Sequence, residues 1–189
     1  MSRVGPIVVS ILIAACTQLS ACGKQEPKAD FTFVSGTQHH TLDPQKMSWS
    51  HDFRLIACLF ETLTNQSVED LSIEPGIAER WGISDDGITY TFHIRDNARW
   101  SNGEPVTAND FIYAWQRAIV PDFAADYSDL FWRIKGAREF AQWRVKQLDD
   151  YAKQADKSQE KAEALWQEAL TKFDETVGLQ STDDKTLVV

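Results

Sequence analysis

The feature that most constrains this chain is a turn. Asp85-Asp86-Gly87 separates Trp81-Gly-Ile-Ser84 from Ile88-Thr-Tyr-Thr-Phe-His-Ile94. Asp-Gly supplies the positive φ that tight hairpin turns need, so the two runs are expected to pair as antiparallel strands. In the second run Ile88, Tyr90, Phe92 and Ile94 share one face, and Thr89, Thr91, His93 and Arg95 the other. His93 therefore reads as a surface strand residue, not a ligand or a base. Asn102-Gly103 marks another turn after Trp100. Thr107-Ala-Asn-Asp110 then opens a helix like a capping box, with Asp110 where Glu is commoner. Phe111, Ile112, Trp115, Ala118 and Ile119 fall on one face of that helix, and Pro121 ends it.

Around this centre the pattern is more varied. Phe31-Thr-Phe-Val-Ser35 alternates like a short strand ended by Gly36. Residues 38–45 read as loop, broken by Pro44. A helix is expected from Ser50, capped by Ser50 and with Asp52 favouring its first turn. Phe53, Ile56, Ala57 and Phe60 give it an apolar face. Leu55, Cys58 and Leu59 widen that face, so the helix is expected to be buried on most sides, with Cys58 a plain core residue. Residues 65–72 read as a polar connection, Glu74-Pro75-Gly76 as a turn, and Ile77 to Trp81 as a short helical piece.

Residues 136–177 are rich in Ala, Lys, Glu and Gln. Ala162, Leu165, Trp166, Ala169, Leu170, Phe173 and Val177 repeat with helical period, and Phe140, Trp143, Leu148, Tyr151 and Ala155 do so more loosely. No apolar residue occurs between Asp156 and Lys161. Two packed helices with a turn there, or one long helix, both satisfy the pattern. The chain closes on Thr182-Asp-Asp-Lys-Thr-Leu-Val-Val189, a turn and the opening of a strand without a partner, as expected of a domain cut from a longer protein.

Charge and leader set the compartment. A formal net charge of -9 argues against nucleic acid, whose phosphates call for clustered Lys and Arg. At the N-terminus, Arg3 is followed by an apolar run through Ala15 that is too short for a comfortable membrane span. A positive start, an apolar middle and small residues at the end make residues 1–21 a secretory signal. Leu19-Ser20-Ala21-Cys22 resembles the lipobox of bacterial lipoproteins. The resemblance implies cleavage before Cys22 and acylation of its thiol, with residues 22–30 a polar tether. Of the three cysteines only Cys58 stays in the body of the chain, so no intramolecular disulfide is expected there.

A longer match lies downstream. Glu74-Pro-Gly-Ile-Ala-Glu-Arg-Trp81, Ser84-Asp-Asp-Gly-Ile-Thr-Tyr-Thr-Phe92 and Ile94 through Arg117 resemble the family 5 extracellular solute-binding proteins, nearest to their oligopeptide-binding branch. Leu42-Asp-Pro44, Leu59-Phe-Glu-Thr-Leu63 and Asp183-Asp-Lys-Thr-Leu187 extend the match. The resemblance implies an α/β fold. It would be a type II, cluster C periplasmic-binding-protein-like lobe with a β-rich subdomain, spanning 31–189, with the second lobe missing. Residues 136–176 would be a helical insertion longer than relatives usually carry.

The same resemblance implies a function and a site. The function is capture of extended oligopeptides between two lobes, with delivery to an ABC permease and its ATPase subunits. The protein would be a monomer anchored by lipid in the periplasmic space. The ligand-facing residues carried over are Ser48, Trp49 and Ser50 after Asp43-Pro44, and Tyr127 after the helix ending at Pro121. Ser48 stands where well-known members have an acidic residue, so any contact by that carboxylate is lost. Relatives also bind nickel complexes, haem or sugars, and a surface or adhesive role is a further alternative.

No cofactor, metal or catalytic residue is expected. His39 and His40 lie near Asp43, but adjacent histidines in a strand would face opposite ways and no third ligand has a recognisable spacing. There is no strand–Ser–helix nucleophile motif and no glycine-rich phosphate loop.

Overall fold

A computed structural model describes residues 30, 32, 34 and 36–189. The expected signal sequence 1–21, Cys22 and most of the expected tether lie outside the described residues, as does the strand expected at 31–35 apart from Thr32 and Val34. Residues 37–189 form one unit. Its elements are α1 (Ser50–Leu59), β1 (Thr64–Gln66), β2 (Ile73–Pro75), β3 (Ala78–Ile83), β4 (Tyr90–Ile94), α2 (Ala108–Ile119), α3 (Ala137–Ala152), α4 (Gln159–Thr176), β5 (Gln180–Asp183) and β6 (Thr186–Val188). Two 3₁₀ turns, Pro121–Phe123 and Ser128–Arg133, join α2 to α3.

The Asp-Gly hairpin is the organising element. β3 and β4 pair antiparallel with Trp81 opposite Phe92 and Ile83 opposite Tyr90. Gly87 sits in the turn at φ +73°, and its N–H donates to the Ser84 carbonyl at 2.8 Å. The sheet is wholly antiparallel, in the order β3-β4-β6-β5. The closing segment therefore has strand partners on both sides: β6 lies between β4 and β5, with Leu187 opposite Phe92 and Ser181. That overturns the reading of an unpaired terminal strand. One partner, β5, is brought to it by the turn at Asp183-Asp184-Lys185, where Lys185 N–H donates to the Asp183 carboxylate at 2.8 Å.

The segment before the hairpin is strand rather than turn and helix. β1 pairs with β2, with Asn65 opposite Glu74. The expected polar connection 65–72 is thus partly strand, and Glu74 and Pro75 end β2 instead of making a turn. Ile77 to Trp81, expected helical, belongs largely to β3. Pairing with β4 outweighs local preference in so short a piece.

The helices mostly follow the apolar period. In α2 the Asp110 carboxylate accepts from the Thr107 N–H at 2.7 Å, the reach-back bond of a capping box, and also from the Thr107 hydroxyl at 3.0 Å. Residues 136–177 form two helices, α3 and α4, broken at 153–158, with Ser158 capping α4 through the Lys161 N–H. Gly136 enters α3 at φ +75°, and the Gly178 N–H donates to the Lys135 carbonyl at 2.8 Å beside it.

Two apolar clusters make the core. One joins Ile119, Val120, Ala137, Phe140, Phe173, Val177 and Leu179. The other joins Ile77, Ile94, Ala98, Val106, Ala108 and Leu187. Ile112, Trp115 and Val189 pack against both, so α2 is the seam between sheet and helical pair. Phe140 and Phe173 meet edge-on at 5.2 Å and are fully buried. Each contributes roughly 1.5–3 kcal/mol by area alone.

α1 departs from expectation in two ways. Trp49, not Ser50, is its N-cap, and no side chain caps it. Only Asp52 and Ile56 are buried on it. Phe53, Leu59 and Phe60 are exposed, and Cys58 is an exposed free thiol rather than a core residue. A helical period says which side chains share a face. It does not say that a layer lies over that face.

Candidate functional site

The stretch leading into α1 is loop, and three kinds of contact hold it. Within the loop, the Thr41 hydroxyl accepts from the Asp43 N–H at 3.0 Å, and the Asp43 carboxylate accepts from the Gln45 N–H at 3.1 Å. Across the fold, Arg117 near the end of α2 grips the same carboxylate with both prongs, at 2.8 and 2.5 Å, and also donates to Gln45 Oε1 at 2.6 Å. The Arg117 guanidinium holds the Asp43 carboxyl below the ordinary carboxylate range, against a smaller upward push from burial. The third contact is aromatic: Arg117 lies 4.9 Å over the Phe123 ring.

These anchors place the residues expected to face a ligand. The Tyr127 hydroxyl donates to the Ser48 carbonyl at 3.5 Å, a long contact, and the Tyr127 ring stands 6.1 Å from Phe53 of α1. The two loops singled out from the sequence thus meet, although 79 positions separate Ser48 from Tyr127. Trp49 is 56% exposed and Tyr127 43% exposed; Ser48 is half-buried and Ser50 exposed. Trp49 is not free of the protein, because its ring stacks on His40 at 5.2 Å. None of these four residues lines the groove on α3 and α4 formed by Trp143, Glu168, Thr171, Lys172 and Glu175.

The histidines behave differently from the strand reading. Residues 38–42 are loop, so the alternation that would separate His39 from His40 does not apply. Both imidazoles approach Asp52: His39 Nδ1 is 3.3 Å from Oδ1, and His40 Nδ1 is 3.7 Å from Oδ2. His51 Nε2 is 3.6 Å from Oδ1 and 3.1 Å from His40 Nδ1. Asp52 is fully buried, and its Oδ1 accepts the His40 backbone N–H at 3.1 Å. The sequence reading missed His51, Asp52 and Arg117 as site residues. The available signal was a His-Asp pair in the first turn of a helix, with two more histidines one loop upstream.

Among the described residues no helix is long and apolar enough to cross a membrane.

Comparison with known proteins places the chain. The family model of bacterial extracellular solute-binding proteins, family 5 middle, matches residues 72–189. The chain is 31% identical over 151 residues to the periplasmic oligopeptide-binding protein OppA of Haemophilus influenzae, covering 75% of this chain and 27% of that protein. It is 38% identical over 102 residues to the probable deoxycholate-binding periplasmic protein YgiS of Escherichia coli, covering 54% of this chain and 19% of that one. The crystal structure of Haemophilus influenzae OppA in complex with RPPGFSPFR superposes with a TM-score of 0.61 at 29% identity, over 82% of this chain and 25% of that one. The chain thus spans about a quarter of the length of the oligopeptide-binding protein it matches.

Proposed function

This chain belongs to the bacterial extracellular solute-binding proteins of family 5, and from that premise we propose that it is the peptide-capturing component of an ABC importer. It contributes the first-lobe share of a two-lobed binder: residues 31–189 form the lobe, with 136–176 inserted into it. The captured peptide is handed to a membrane permease and its ATPase subunits. Acylated Cys22 holds the protein to the membrane facing the periplasm. The role is non-catalytic, with binding and lobe closure as the whole of the work.

The observation that carries the reading is the match to an oligopeptide-binding relative whose solved structure holds a nonapeptide. The contact between Tyr127 and the Ser48 carbonyl supports it locally, since it brings the loop before α1 to the Tyr127 and Phe53 rings, both exposed and 6.1 Å apart. An extended peptide can use such a loop through main-chain hydrogen bonds, leaving its side chains in wide, hydrated pockets. A second reading keeps the fold and changes the solute, and the relative named for deoxycholate favours it.

The test grafts residues 37–189 into the corresponding place in the Haemophilus influenzae relative. Short peptides are titrated into the graft by calorimetry, with deoxycholate in parallel. Saturable peptide binding with a negative heat-capacity change, weakened by Trp49→Ala and Tyr127→Ala, supports capture by closure. Deoxycholate binding without peptide binding by the folded graft selects the second reading. Peptide binding indifferent to both substitutions refutes the site.

A further inference from the structure

We propose that His40, His51 and Asp52, with His39 beside them, form a binding site for a divalent transition-metal ion of the zinc class. This inference stands on the side chains alone and is independent of the peptide reading. Three of the chain's four histidines converge on one carboxylate. One ligand atom each from His40, His51 and Asp52 can be chosen so that all lie within 4.8 Å of one another. Nitrogen and oxygen ligands about 2.0–2.2 Å from a tetrahedral centre lie roughly 3.3–3.6 Å apart. His40 Nδ1 is 3.1 Å from His51 Nε2, His51 Nε2 is 3.6 Å from Asp52 Oδ1, and His40 Nδ1 is 3.7 Å from Asp52 Oδ2, so the two nitrogens face the two oxygens of one carboxylate. His39 Nδ1 lies outside that set, 3.3 Å from Asp52 Oδ1, and borders the carboxylate.

A second observation points the same way. Asp52 is fully buried, yet among the described residues its Oδ2 has no hydrogen-bond partner. His39 Nδ1 is likewise buried without a partner, because its approach to Oδ1 makes no hydrogen bond. A buried carboxylate oxygen and a buried ring nitrogen, both unpaired and aimed into one cluster, are costly unless something is bound between them. A cation of charge two held by His40, His51 and Asp52 satisfies the carboxylate oxygen and leaves His39 beside the bound carboxylate. A single protonated imidazole would balance the carboxylate but leave two further rings without a reason to gather. The ligand set of imidazole nitrogen and carboxylate oxygen suits zinc, with copper and nickel as competitors and calcium or magnesium disfavoured.

The surroundings resemble an outer shell. The His40 backbone N–H orients Asp52 at 3.1 Å, and Trp49 stacks on the His40 ring. Asp52 and His51 sit in the first turn of α1, so two of the four groups are held on a regular element. His40 is the most exposed of the four, at 56%, which leaves an entry path for the ion.

The full chain, untagged and stripped with EDTA, is titrated with ZnCl₂ by calorimetry and with Co²⁺ by visible absorption. The expected result is one Zn²⁺ per chain and the strong d–d bands of four-coordinate Co²⁺. His51→Gln and the double variant His40→Gln/His51→Gln should lower the affinity by more than the roughly 10–100-fold that loss of an outer-shell partner costs. Imidazole ¹⁵N spectra of the unaltered chain give a readout that needs no variant. On adding Zn²⁺ the His39, His40 and His51 rings should shift and His93 should not. No saturable uptake by the folded chain overturns the proposal. So does uptake unchanged in the double variant, or a ¹⁵N shift confined to His93.

Discussion

Arg117 is the best single lever on the loop that enters α1. Its guanidinium meets Asp43 in a two-pronged pair, at 2.8 and 2.5 Å, with side chains 23% and 24% exposed. Fully exposed pairs contribute about 0–1 kcal/mol, and breaking a buried one costs about 3–5 kcal/mol. A pair about three-quarters buried, with a third hydrogen bond to Gln45, falls between them. The cation over Phe123 adds about 0.5–1 kcal/mol. Arg117→Met keeps the stem on Phe123 and removes the charge, so its cost is about 2–3 kcal/mol. At about 2–4 °C per kcal/mol for a chain of this size, melting should fall by roughly 5–10 °C.

The sign with pH follows from Asp43. Its folded-state pKa is lowered, chiefly by the hydrogen bond from Arg117. Such a group adds stability that is fully present above its unfolded value, about 3.9, and is lost as pH falls through the folded value. In urea denaturation the gap between the unaltered chain and Arg117→Met should hold steady from pH 7 to about 5 and narrow below about 4. An Asp43→Asn cycle should return a favourable coupling of about 1–2 kcal/mol. A gap under about 0.5 kcal/mol at pH 7, the range of an ordinary surface change, refutes the reasoning. A gap that widens on acidification does the same.

Three other outcomes are expected. Phe140→Ala, at a fully buried ring packed edge-on against Phe173, should cost about 3–5 kcal/mol in urea unfolding, and a cost under about 1 kcal/mol would mean the α3–α4 pair is not core. Gly136→Ala should cost more than the roughly 1–2 kcal/mol of a left-handed residue, because the added carbon would collide with the Thr176 carbonyl; melting temperature reads it, and a neutral result would contradict the close approach of α3 to the end of α4. Cys22→Ser should move the protein from the membrane fraction to the soluble one and abolish acyl labelling, whereas retention of both would remove the lipobox from the argument.

Legibility in the sequence tracked the range of the interaction. Asp86-Gly87 and Thr107 to Asp110 are local chemistry, and both elements stand where the residues put them. The apolar gap from Asp156 to Lys161 overlaps the break between α3 and α4, although the pattern alone also allowed one long helix. Where pairing decides, reading failed. Ala78 to Arg80, read as helical, has a charged pattern and becomes strand because β4 is alongside, extending the hairpin strand read from Trp81 onward. Pro75 looked like a turn, yet it ends β2, where an edge strand tolerates a missing N–H. Exposure was the least legible quantity. Phe53, Cys58 and Phe60 satisfy a helical period and still face outward. At the site, Ser48, Trp49, Ser50 and Tyr127 came from likeness to relatives, whereas the Asp43–Arg117 grip spans 74 positions and left no mark in either segment.

That long-range grip is one of two holds on the segment entering α1. Asp43 is fixed to α2 on one side of the Ser48 turn, and Asp52 is ringed by imidazoles on the other. Between them lie eight residues, 44–51, that include every ligand-facing candidate except Tyr127. A segment held at both ends loses most of its conformational freedom before any ligand arrives, so less is lost on binding. The two holds differ in kind. The Asp43 grip answers to pH and salt, and the Asp52 cluster, on the proposed reading, to metal supply. Trp49 stays exposed beyond its stack on His40. Rigidity at the flanks with exposure at the tip is what a binding loop needs if it is to accept many peptides through their shared backbone.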